Sequence, residues 1–571
     1  MTLLLTDLPP LRIVLLCTLP LAYALAALAP GRLVQTPQAG WRLARWCAAV
    51  AGVAALLSTV WLLVGGEGLA RGPAVFALGK AGALHLSLRS DVLACTMLLL
   101  VSFIGWVIVG YSQTYLNGER GQPRYIRGLM LTLAAVSLLV LTNNLVVLAL
   151  AWIVTSLALH TLLTFFNQRP QALIAAHKKF LASRVADACL LGGIALLGGT
   201  LGTLEIDQAV AAVRALGQTP ATLLGPNTAL QAAALLIATS ALLKCAQLPV
   251  HGWLIQVMEA PTPVSALLHA GVVNLGGFLL LRMGTLVADV PSAQALLVVV
   301  GSVTAVVAAL VMTTRISIKV SLAWSTCAQM GFMMMQCGLG LYELALLHLV
   351  THSLYKAHAF LGAGGAVEQN RLQQMTPKPP PMSAGRWLAG ALVGMLLVGA
   401  AALLWGAHPA QAPALWATSG ILALALAPIV AGPVLRAGWV WRIAGLSASL
   451  ALALAYFGLH EFGSRWLGVD PAAAQPAPAL VAWVLGCFVL LFAVQGTVRA
   501  KPRGTLARGL YPWLFAGLYL DELFTRLTFR LWPARVPLPH MLSHTQPHTQ
   551  PHTTPASQPS LEPSAHPTQG L

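Results

Sequence analysis

The stretch KCAQLPVHGWLIQVMEAPTPVSALLHAGVVNLGGFLLLRM, residues 244–283, carries the strongest structural signal in the chain. Its first residue, Lys244, closes the apolar run LQAAALLIATSALLK, and Pro249 follows shortly after. A proline removes a backbone donor and ends a helix, and a helix broken inside a membrane exposes carbonyl groups that hold ions. We therefore predict a broken helix with Lys244 at the break and with Pro249, Pro261 and Pro263 as the helix-breaking residues.

Lys244 itself has two interpretations. A lysine that burial deprives of water has a lowered pKa and can take up and release a proton. Alternatively, its long side chain reaches back to the membrane surface and keeps its charge in water. Position alone favours the proton carrier without excluding the second interpretation.

Composition extends the membrane signal to the whole chain. Apolar residues make up 57% of its 571 residues and charged residues only 9%, whereas soluble domains carry about 25% charged residues. Many apolar runs are long enough to cross about 30 Å of hydrocarbon. We predict an all-α polytopic membrane protein of about 15 transmembrane helices. The predicted spans are 11–29, 47–64, 91–110, 127–142, 145–166, 180–199, 228–248, 264–287, 294–313, 316–338, 343–364, 387–406, 413–433, 439–458 and 479–498.

The positive charge indicates orientation and not a nucleic-acid partner. The net charge is +17, but no long basic block occurs, and such blocks are what nucleic acids attract. Instead, most lysines and arginines fall in alternate loops between the predicted spans. Cytoplasmic loops are enriched in these residues, so we predict a bacterial inner-membrane protein with its N-terminus outside.

The sequence contains none of the common motifs that mark an enzyme active site or a metal or cofactor site. The eight cysteines are scattered, without CxxC or Cys/His spacing that would indicate zinc or a disulfide framework. No phosphate loop, dinucleotide glycine pattern or Ser-His-Asp order occurs. We therefore expect no catalytic residue, metal site or cofactor in this chain.

Charged and titratable residues inside spans are costly, so they are functional candidates. His348, His352 and Lys356 are spaced by four residues and form one stripe on the eleventh span, and His269 adds an imidazole on the eighth. Imidazoles titrate near neutral pH and relay protons, although a single histidine more often serves interhelical packing.

Arg184 and Asp187 lie three residues apart on the sixth span. They are either part of the same path or a buried ion pair that holds the helix. Lys178 and Lys319, at the ends of the sixth and tenth spans, complete the predicted proton path.

Three blocks, 175–191, 244–283 and 318–365, resemble the antiporter-like subunits of respiratory complex I and of Mrp-type cation/proton antiporters. The resemblance implies two inverted repeats, each with a broken helix, and makes Lys244 the central proton-carrying lysine. It makes His269, His348, His352 and Lys356 members of the polar axis. The expected segments are 1–126 and 434–510 (flanking spans), 127–287 and 288–433 (the repeats), 511–532 and 533–571.

The sequence also departs from that family pattern. Ile153 follows Trp152 where a glutamate is usual, so we expect Asp187 to serve as the carboxylate for Lys244. The second broken helix is expected at 387–406, yet this segment has no charged side chain. Ser317 stands where an aspartate is frequent, and the long lateral helix of the complex I subunit is missing.

These departures, together with the terminal YLDELFTRLTFRLW, resemble the membrane subunits of DAB-type inorganic carbon transporters. The resemblance implies that a proton or sodium gradient drives hydration of CO2 to bicarbonate. It also implies a large soluble DabA-type partner on the cytoplasmic face, with the zinc site in that partner. The alternatives are a proton-pumping subunit of a complex I-type NADH:quinone oxidoreductase and a cation/proton antiporter.

The C-terminal region is expected to dock the partner. Residues 511–532 mix aromatic and charged side chains, which indicates an interfacial helix rather than a further span. Its predicted docking residues are Tyr519, Asp521, Glu522, Arg526 and Arg530. The tail 533–571 is rich in Pro, His, Thr and Gln and is expected to be disordered.

Overall fold

The structure is a computed structural model that describes residues 5–6, 8–30, 36–77, 79, 82–217, 228–375, 383–406, 412–434, 438–469 and 475–532. The predicted disordered tail lies outside these residues. Residues up to Pro533 form one compact unit. The predicted subdivision of this unit into repeats and flanking spans stays a prediction.

Helices dominate the first half of the chain. They are α1 Pro10–Leu28, α2 Pro37–Gly65, α3 Val92–Tyr115, α4 Gln122–Leu141, α5 Leu145–Leu163, α6 Pro170–Leu201, α7 Ile206–Gly217, α8 Thr228–Lys244, α9 Gly252–Gln256, α10 Thr262–Ala270, α11 Leu275–Arg282 and α12 Gly284–Ala288. Several begin with proline, whose missing N–H costs nothing in the first turn. Others begin after a side-chain cap: the Asp91 carboxylate, for example, accepts the Ala94 N–H at 2.8 Å.

The second half is also helical. It comprises α13 Pro291–Met312, α14 Ile318–Gly338, α15 Tyr342–Leu361, α16 Ala366–Met375, α17 Ala384–Leu404, α18 Pro413–Ile429, α19 Trp439–Leu467, α20 Pro478–Ala500, α21 Thr505–Phe515 and α22 Leu520–Leu531.

The predicted helical membrane fold is confirmed. Within the described residues, twelve helices are long and apolar enough to cross a membrane, with α10 and α11 together forming one of them. Each of the fifteen predicted spans lies on a helix or a broken helix, but α8 is only 17 residues long. Helices α14 and α15 are long enough and more polar. The count of fifteen therefore stays a prediction.

A small antiparallel sheet, which the sequence did not predict, precedes α3. Strands β1 Leu5–Thr6, β2 Gly68–Ala77 and β3 Ala83–Ser90 pair in that order. The sheet contacts the start of α7 through Arg71, whose guanidinium forms ion pairs with Glu205, just before that helix, at 3.5 Å and with Asp207 in its first turn at 3.4 Å. The described residues therefore include a β-sheet beside the helices.

The chain is broken after Lys244, as predicted. Helix α8 ends there, residues 245–251 are not helical, and Ala246 has a positive φ of 51°. Pro249 lies inside this segment. Pro261 and Pro263 flank the start of α10, so they delimit the broken region and do not interrupt a helix. A second interruption, at Gly271 and the turn Val272–Asn274, separates α10 from α11.

The second break predicted at 387–406 is not observed. Helix α17, Ala384–Leu404, is continuous and lacks proline. Gly390 and Gly394 let it pack closely on α18: a Cβ at either position would lie within 2.6 Å of a backbone oxygen of that helix. The irregular turn in this half instead follows Pro428, at Val430–Val434.

The predicted single helix at 511–532 is two helices. Helix α21 ends at Phe515 and α22 begins at Leu520. Between them, Gly517, Leu518 and Tyr519 all have positive φ, a conformation that no helix of L-residues continues through. The C-terminal region is therefore a helix pair with a sharp turn.

Candidate proton path

Lys244 is buried at the end of α8, with 3% of its surface exposed. Its ammonium lies 4.3 Å from the centroid of the Trp152 ring on α5, a favourable cation–π distance. Its Nζ has no hydrogen-bond partner among the described residues. The side chain therefore does not reach the membrane surface, and its ammonium is held without a fixed acceptor.

Asp187 and Arg184 on α6 are the charged groups that act most strongly on Lys244. The Asp187 carboxylate lies 2.6 Å from the Arg184 guanidinium, as the spacing of three residues predicts. Asp187 is buried, whereas Arg184 is partly exposed. The predicted ion pair is therefore present and acts electrostatically on Lys244, whereas membership of these two residues in a proton path stays a prediction.

Lys179 is a member of this cluster that the sequence reasoning missed. It is buried and donates hydrogen bonds to the backbone oxygen of Ser156 at 2.6 Å and to its Oγ at 2.8 Å. It also interacts electrostatically with Lys244 and Asp187. Lys179 and Asp187 are eight residues apart, so they share one face of α6, and this spacing was the available signal.

Lys178 faces away from this cluster. Its Nζ lies 2.8 Å from a carboxylate oxygen of Asp521 on α22, and its side chain is fully buried. Lys319, at the start of α14, donates to Thr262 Oγ1 at 2.9 Å. Lys178 lies within α6, next to Lys179, whereas Lys319 lies in the first turn of α14, and neither is among the charged groups that act on Lys244.

The broken segment 245–251 is fixed by neighbouring helices. The Leu248 N–H donates to Thr304 Oγ1 at 3.2 Å, and the Cys327 thiol contacts the Ala246 oxygen at 3.3 Å. His251, which ends the segment, is fully buried, with its ring centroid 4.8 Å from that of Trp324. The segment therefore places a second titratable side chain near the break.

The predicted stripe on α15 exists. Lys356 donates to Ser325 Oγ at 2.8 Å and to the Leu322 oxygen at 3.0 Å. The rings of His348 and His352 are 6.0 Å apart. His348 Nδ1 lies 3.0 Å from Oε1 of Gln336 on α14. All three stripe residues thus face the interior of the helix bundle.

His269 connects the stripe to the first half of the chain. It is fully buried on α10, and its ring stacks on Phe360 at 4.4 Å. Neither ring nitrogen has a hydrogen-bond partner in the described part of the chain. It acts electrostatically on His352, and Lys356 acts on it in turn.

A buried pair formed by Glu343 and His460 was not predicted from the sequence either. Oε1 of Glu343, at the start of α15, lies 3.0 Å from Nδ1 of His460 on α19, and both side chains are almost fully buried. Both residues lie at or beyond the edges of predicted spans, where a polar side chain is not unusual. Only the packing of α15 on α19 brings them together.

The predicted docking residues divide into two groups. Tyr519 is half exposed, and Glu522, Arg526 and Arg530 are exposed on α22, with Glu522 and Arg526 3.8 Å apart. Asp521, in contrast, points into the protein toward Lys178. The first four remain available to a partner, whereas Asp521 has an intramolecular role.

Two family models match the chain. The membrane domain described as NADH:quinone oxidoreductase/Mrp antiporter covers residues 142–378. The N-terminal region of chain 5 of NADH-ubiquinone oxidoreductase (complex I) covers residues 79–126. The first match contains every residue of the predicted proton path.

Two curated relatives are similar over most of their length. The "Probable inorganic carbon transporter subunit DabB" of Hydrogenovibrio crunogenus is 42% identical over 467 residues, 78% of this chain and 83% of that protein. The "Probable inorganic carbon transporter subunit DabB2" of Halothiobacillus neapolitanus is 42% identical over 461 residues, 80% of this chain and 82% of that protein.

A solved structure, the Mrp complex from Dietzia sp. DQ12-45-1b, contains a chain of related fold. The match covers 94% of this chain and 57% of that one, with a TM-score of 0.54 and 26% sequence identity. This chain therefore spans little more than half of the matched Mrp chain.

Proposed function

This chain belongs to the DabB family of inorganic carbon transporter subunits, and we propose that it translocates protons to energise an inorganic carbon accumulation complex. It is a multi-pass membrane subunit of the ion-translocating type. Beyond this family assignment, the proposal specifies the transported carbon, the ion whose gradient drives the process and the soluble partner.

The observation that supports this proposal most directly is the environment of Lys244. A buried ammonium without a hydrogen-bond acceptor, beside a broken helix and one carboxylate, is subject to opposing influences on its charge. Burial and the cations of Arg184 and Lys179 disfavour its charge, whereas Asp187 and the Trp152 ring favour it. Such a balance suits a group that must both accept and release a proton.

The other buried residues supply the rest of the path. Lys179 and Lys244 repel each other when both are charged, so a proton that arrives at one favours release from the other. Beyond Lys244, the bundle contains further side chains that can accept a proton in turn: His269, Lys356, His352 and His348. Water in the bundle would carry the proton between them.

The hydration of CO2 is assigned to the partner. We propose a large soluble DabA-type subunit with a zinc site, bound on the cytoplasmic face of a bacterial inner membrane, with the N-terminus of this chain outside. The partner's zinc would supply the hydroxide for hydration. This chain would supply the proton path and the docking surface.

The proposal is tested in cells that cannot accumulate inorganic carbon and that express both subunits. We expect uptake of labelled inorganic carbon, its loss on collapse of the proton gradient, and recovery of the soluble subunit with this chain by mass spectrometry. Cells that express this chain alone are the control and should show no uptake. Uptake that persists without any ion gradient would contradict the proposal.

A second function, cation/proton antiport or proton pumping in a complex I-type assembly, is favoured by the Mrp match over 94% of this chain. It differs in one measurable property. An antiporter moves sodium against protons without a zinc partner. Sodium efflux from vesicles that contain only this chain would support the second function.

A further inference from the structure

The C-terminal helix pair reaches the interior through Asp521 on α22. Its Oδ1 lies 2.8 Å from Nζ of Lys178 on α6, and its Oδ2 accepts a hydrogen bond of 2.7 Å from Nε2 of Gln256 on α9. Helix α9 directly follows the broken segment 245–251. Asp521 therefore binds the C-terminal pair to α6 and to α9, the helix that follows the break.

Gly252 makes room for this carboxylate. It is the first residue of α9, and a Cβ atom at this position would lie 1.5 Å from Oδ1 of Asp521. Its backbone conformation is not left-handed, so no turn requires glycine here. Glycine at position 252 therefore permits the close approach of the Asp521 carboxylate, which a side chain there would prevent.

Two further contacts fix the helix pair in this position. The Arg315 guanidinium, between α13 and α14, donates to the Leu514 backbone oxygen at 2.8 Å. The Trp532 ring stacks on His177 of α6 at 4.3 Å. Asp521 is thus held between anchors on either side of it along the chain.

The solvent exposure of the side chains decreases from Asp521 toward the interior of the protein. The Asp521 side chain is 34% exposed, whereas that of Lys178 is fully buried. His251 is also fully buried, and Asp521 and Lys178 both act on it electrostatically. The segment that ends at His251 begins directly after Lys244. Asp521 is therefore a partly exposed acidic group in direct contact with buried Lys178 and electrostatically coupled to buried His251.

We infer that Asp521 is the proton-uptake residue at this end of the path, an inference that rests on the proposed function. Its carboxylate, hydrogen-bonded to Lys178 and Gln256, accepts a proton from hydronium in the solvent, and the carboxylic acid then gives that proton through a bridging water to the neutral imidazole of His251. The carboxylate is restored and remains paired with the Lys178 ammonium. In this way the C-terminal pair supplies an acidic group from outside the antiporter-type membrane domain, residues 142–378.

The test uses the complex of both subunits, reconstituted in vesicles, with proton flux followed by a pH-sensitive dye under an imposed gradient. Asp521→Asn keeps the size of the side chain and removes its ability to take up a proton. We expect flux per assembled complex to fall roughly tenfold or more, and Asp521→Glu to restore part of it. Asp207→Asn is the matched control, because Asp207 is similarly exposed and also paired with a cation, but lies outside the path. It should leave flux unchanged.

Gly252→Ala gives an independent test, because it keeps the carboxylate and displaces it. We expect this variant to retain the soluble subunit and to lose flux as Asp521→Asn does. Normal flux in both variants would overturn the inference while the proposed function stands. Loss of the soluble subunit together with flux in both would assign Asp521 to assembly and also overturn it. If the wild-type complex carries no flux, the proposed function fails first, and the inference fails with it.

Discussion

At the scale of single residues, the charges around Lys244 are unbalanced. Lys244, Lys179 and Arg184 bring three cations together with one buried carboxylate, Asp187. Ile153 occupies the position where the resembling families have a glutamate, so it adds no second carboxylate. Among the described residues, Asp187 is the carboxylate that acts on Lys244, so its loss should have a large effect.

Asp187→Asn should lower gradient-driven carbon uptake strongly. Without the carboxylate, the remaining cations disfavour a proton on Lys244, because an opposite charge within about 4–6 Å is what sustains a buried ammonium. Uptake in cells that express both subunits measures the effect, normalised to the amount of complex. Glu119→Gln, an exposed change outside the path, is the control. Unchanged uptake in Asp187→Asn would remove Asp187 from the path.

A separate residue, Asp91, links the sheet to the helices. It caps α3 and forms ion pairs with Arg282 and with Arg89, the latter at 2.7 Å. Burial alone would raise the pKa of Asp91, but the Arg282 and Arg89 cations outweigh it and hold that pKa below its usual range. The ion pairs therefore stabilise the fold fully above the pKa of the unfolded chain, about 4. This stabilisation is lost as pH falls through the lower folded value.

Asp91→Asn should accordingly reduce stability at neutral pH by about 3 kcal/mol, because it leaves buried arginine unpaired. Thermal unfolding of the purified complex at several pH values measures this. The variant should also lose less stability than the wild type on acidification below about pH 4. Equal stability of the two proteins at neutral pH would show that the ion pairs contribute nothing.

The sequence predicted the part of the site that depends on spacing within one helix. The His348, His352 and Lys356 stripe and the Arg184–Asp187 pair follow from helical periodicity, which is a local property. Lys179 with Ser156, and Glu343 with His460, depend on how different helices pack, which no spacing in the sequence specifies. Those contacts appeared only in the three-dimensional structure.

At the scale of elements, the two halves of the chain differ. The first contains a break that exposes backbone groups and places Lys244 and His251 near it, whereas α17 in the second is continuous and uncharged. The hydrophobic runs predicted the helices because length and apolarity suffice to identify a span. They did not predict the sheet: β2 contains glycine and proline, and β3 is a short strand whose alternation of leucine with polar residues was the signal that was missed. They also missed the turn at 517–519, where only Gly517 signals a positive φ.

The C-terminal pair gives a prediction by truncation. A chain that stops after Pro533 keeps both helices and the contacts of Asp521 and Trp532, so it should retain its soluble partner and its activity. A chain that stops near Arg508 loses those contacts and the exposed residues of α22. It should release the partner while the spans still insert in the membrane. Co-purification of the two subunits measures this. If the shorter chain recovers the partner in full, the docking surface lies in the loops between spans.

At the scale of the whole molecule, buried titratable residues form a series across an apolar bundle. It comprises Lys179 on α6, Lys244 on α8, His269 on α10, and Lys356 and His352 on α15, with half-buried His348 one turn beyond His352. Each member costs free energy to bury, and several have no hydrogen-bond partner among the residues that the structure describes. The same groups would destabilise a purely structural core. Their presence along one series is therefore explained if protons move through it.

The central claim is that Lys244 carries protons, and Lys244→Ala tests it most directly. Removal of a buried charge that lacks a fixed partner should leave the protein folded, or stabilise it slightly. The measurement is gradient-driven proton flux of the reconstituted complex, with Lys501→Ala, an exposed change, as the control. We predict that Lys244→Ala abolishes flux in a fully assembled complex and that the control keeps it. Wild-type flux in an assembled Lys244→Ala complex would contradict the account.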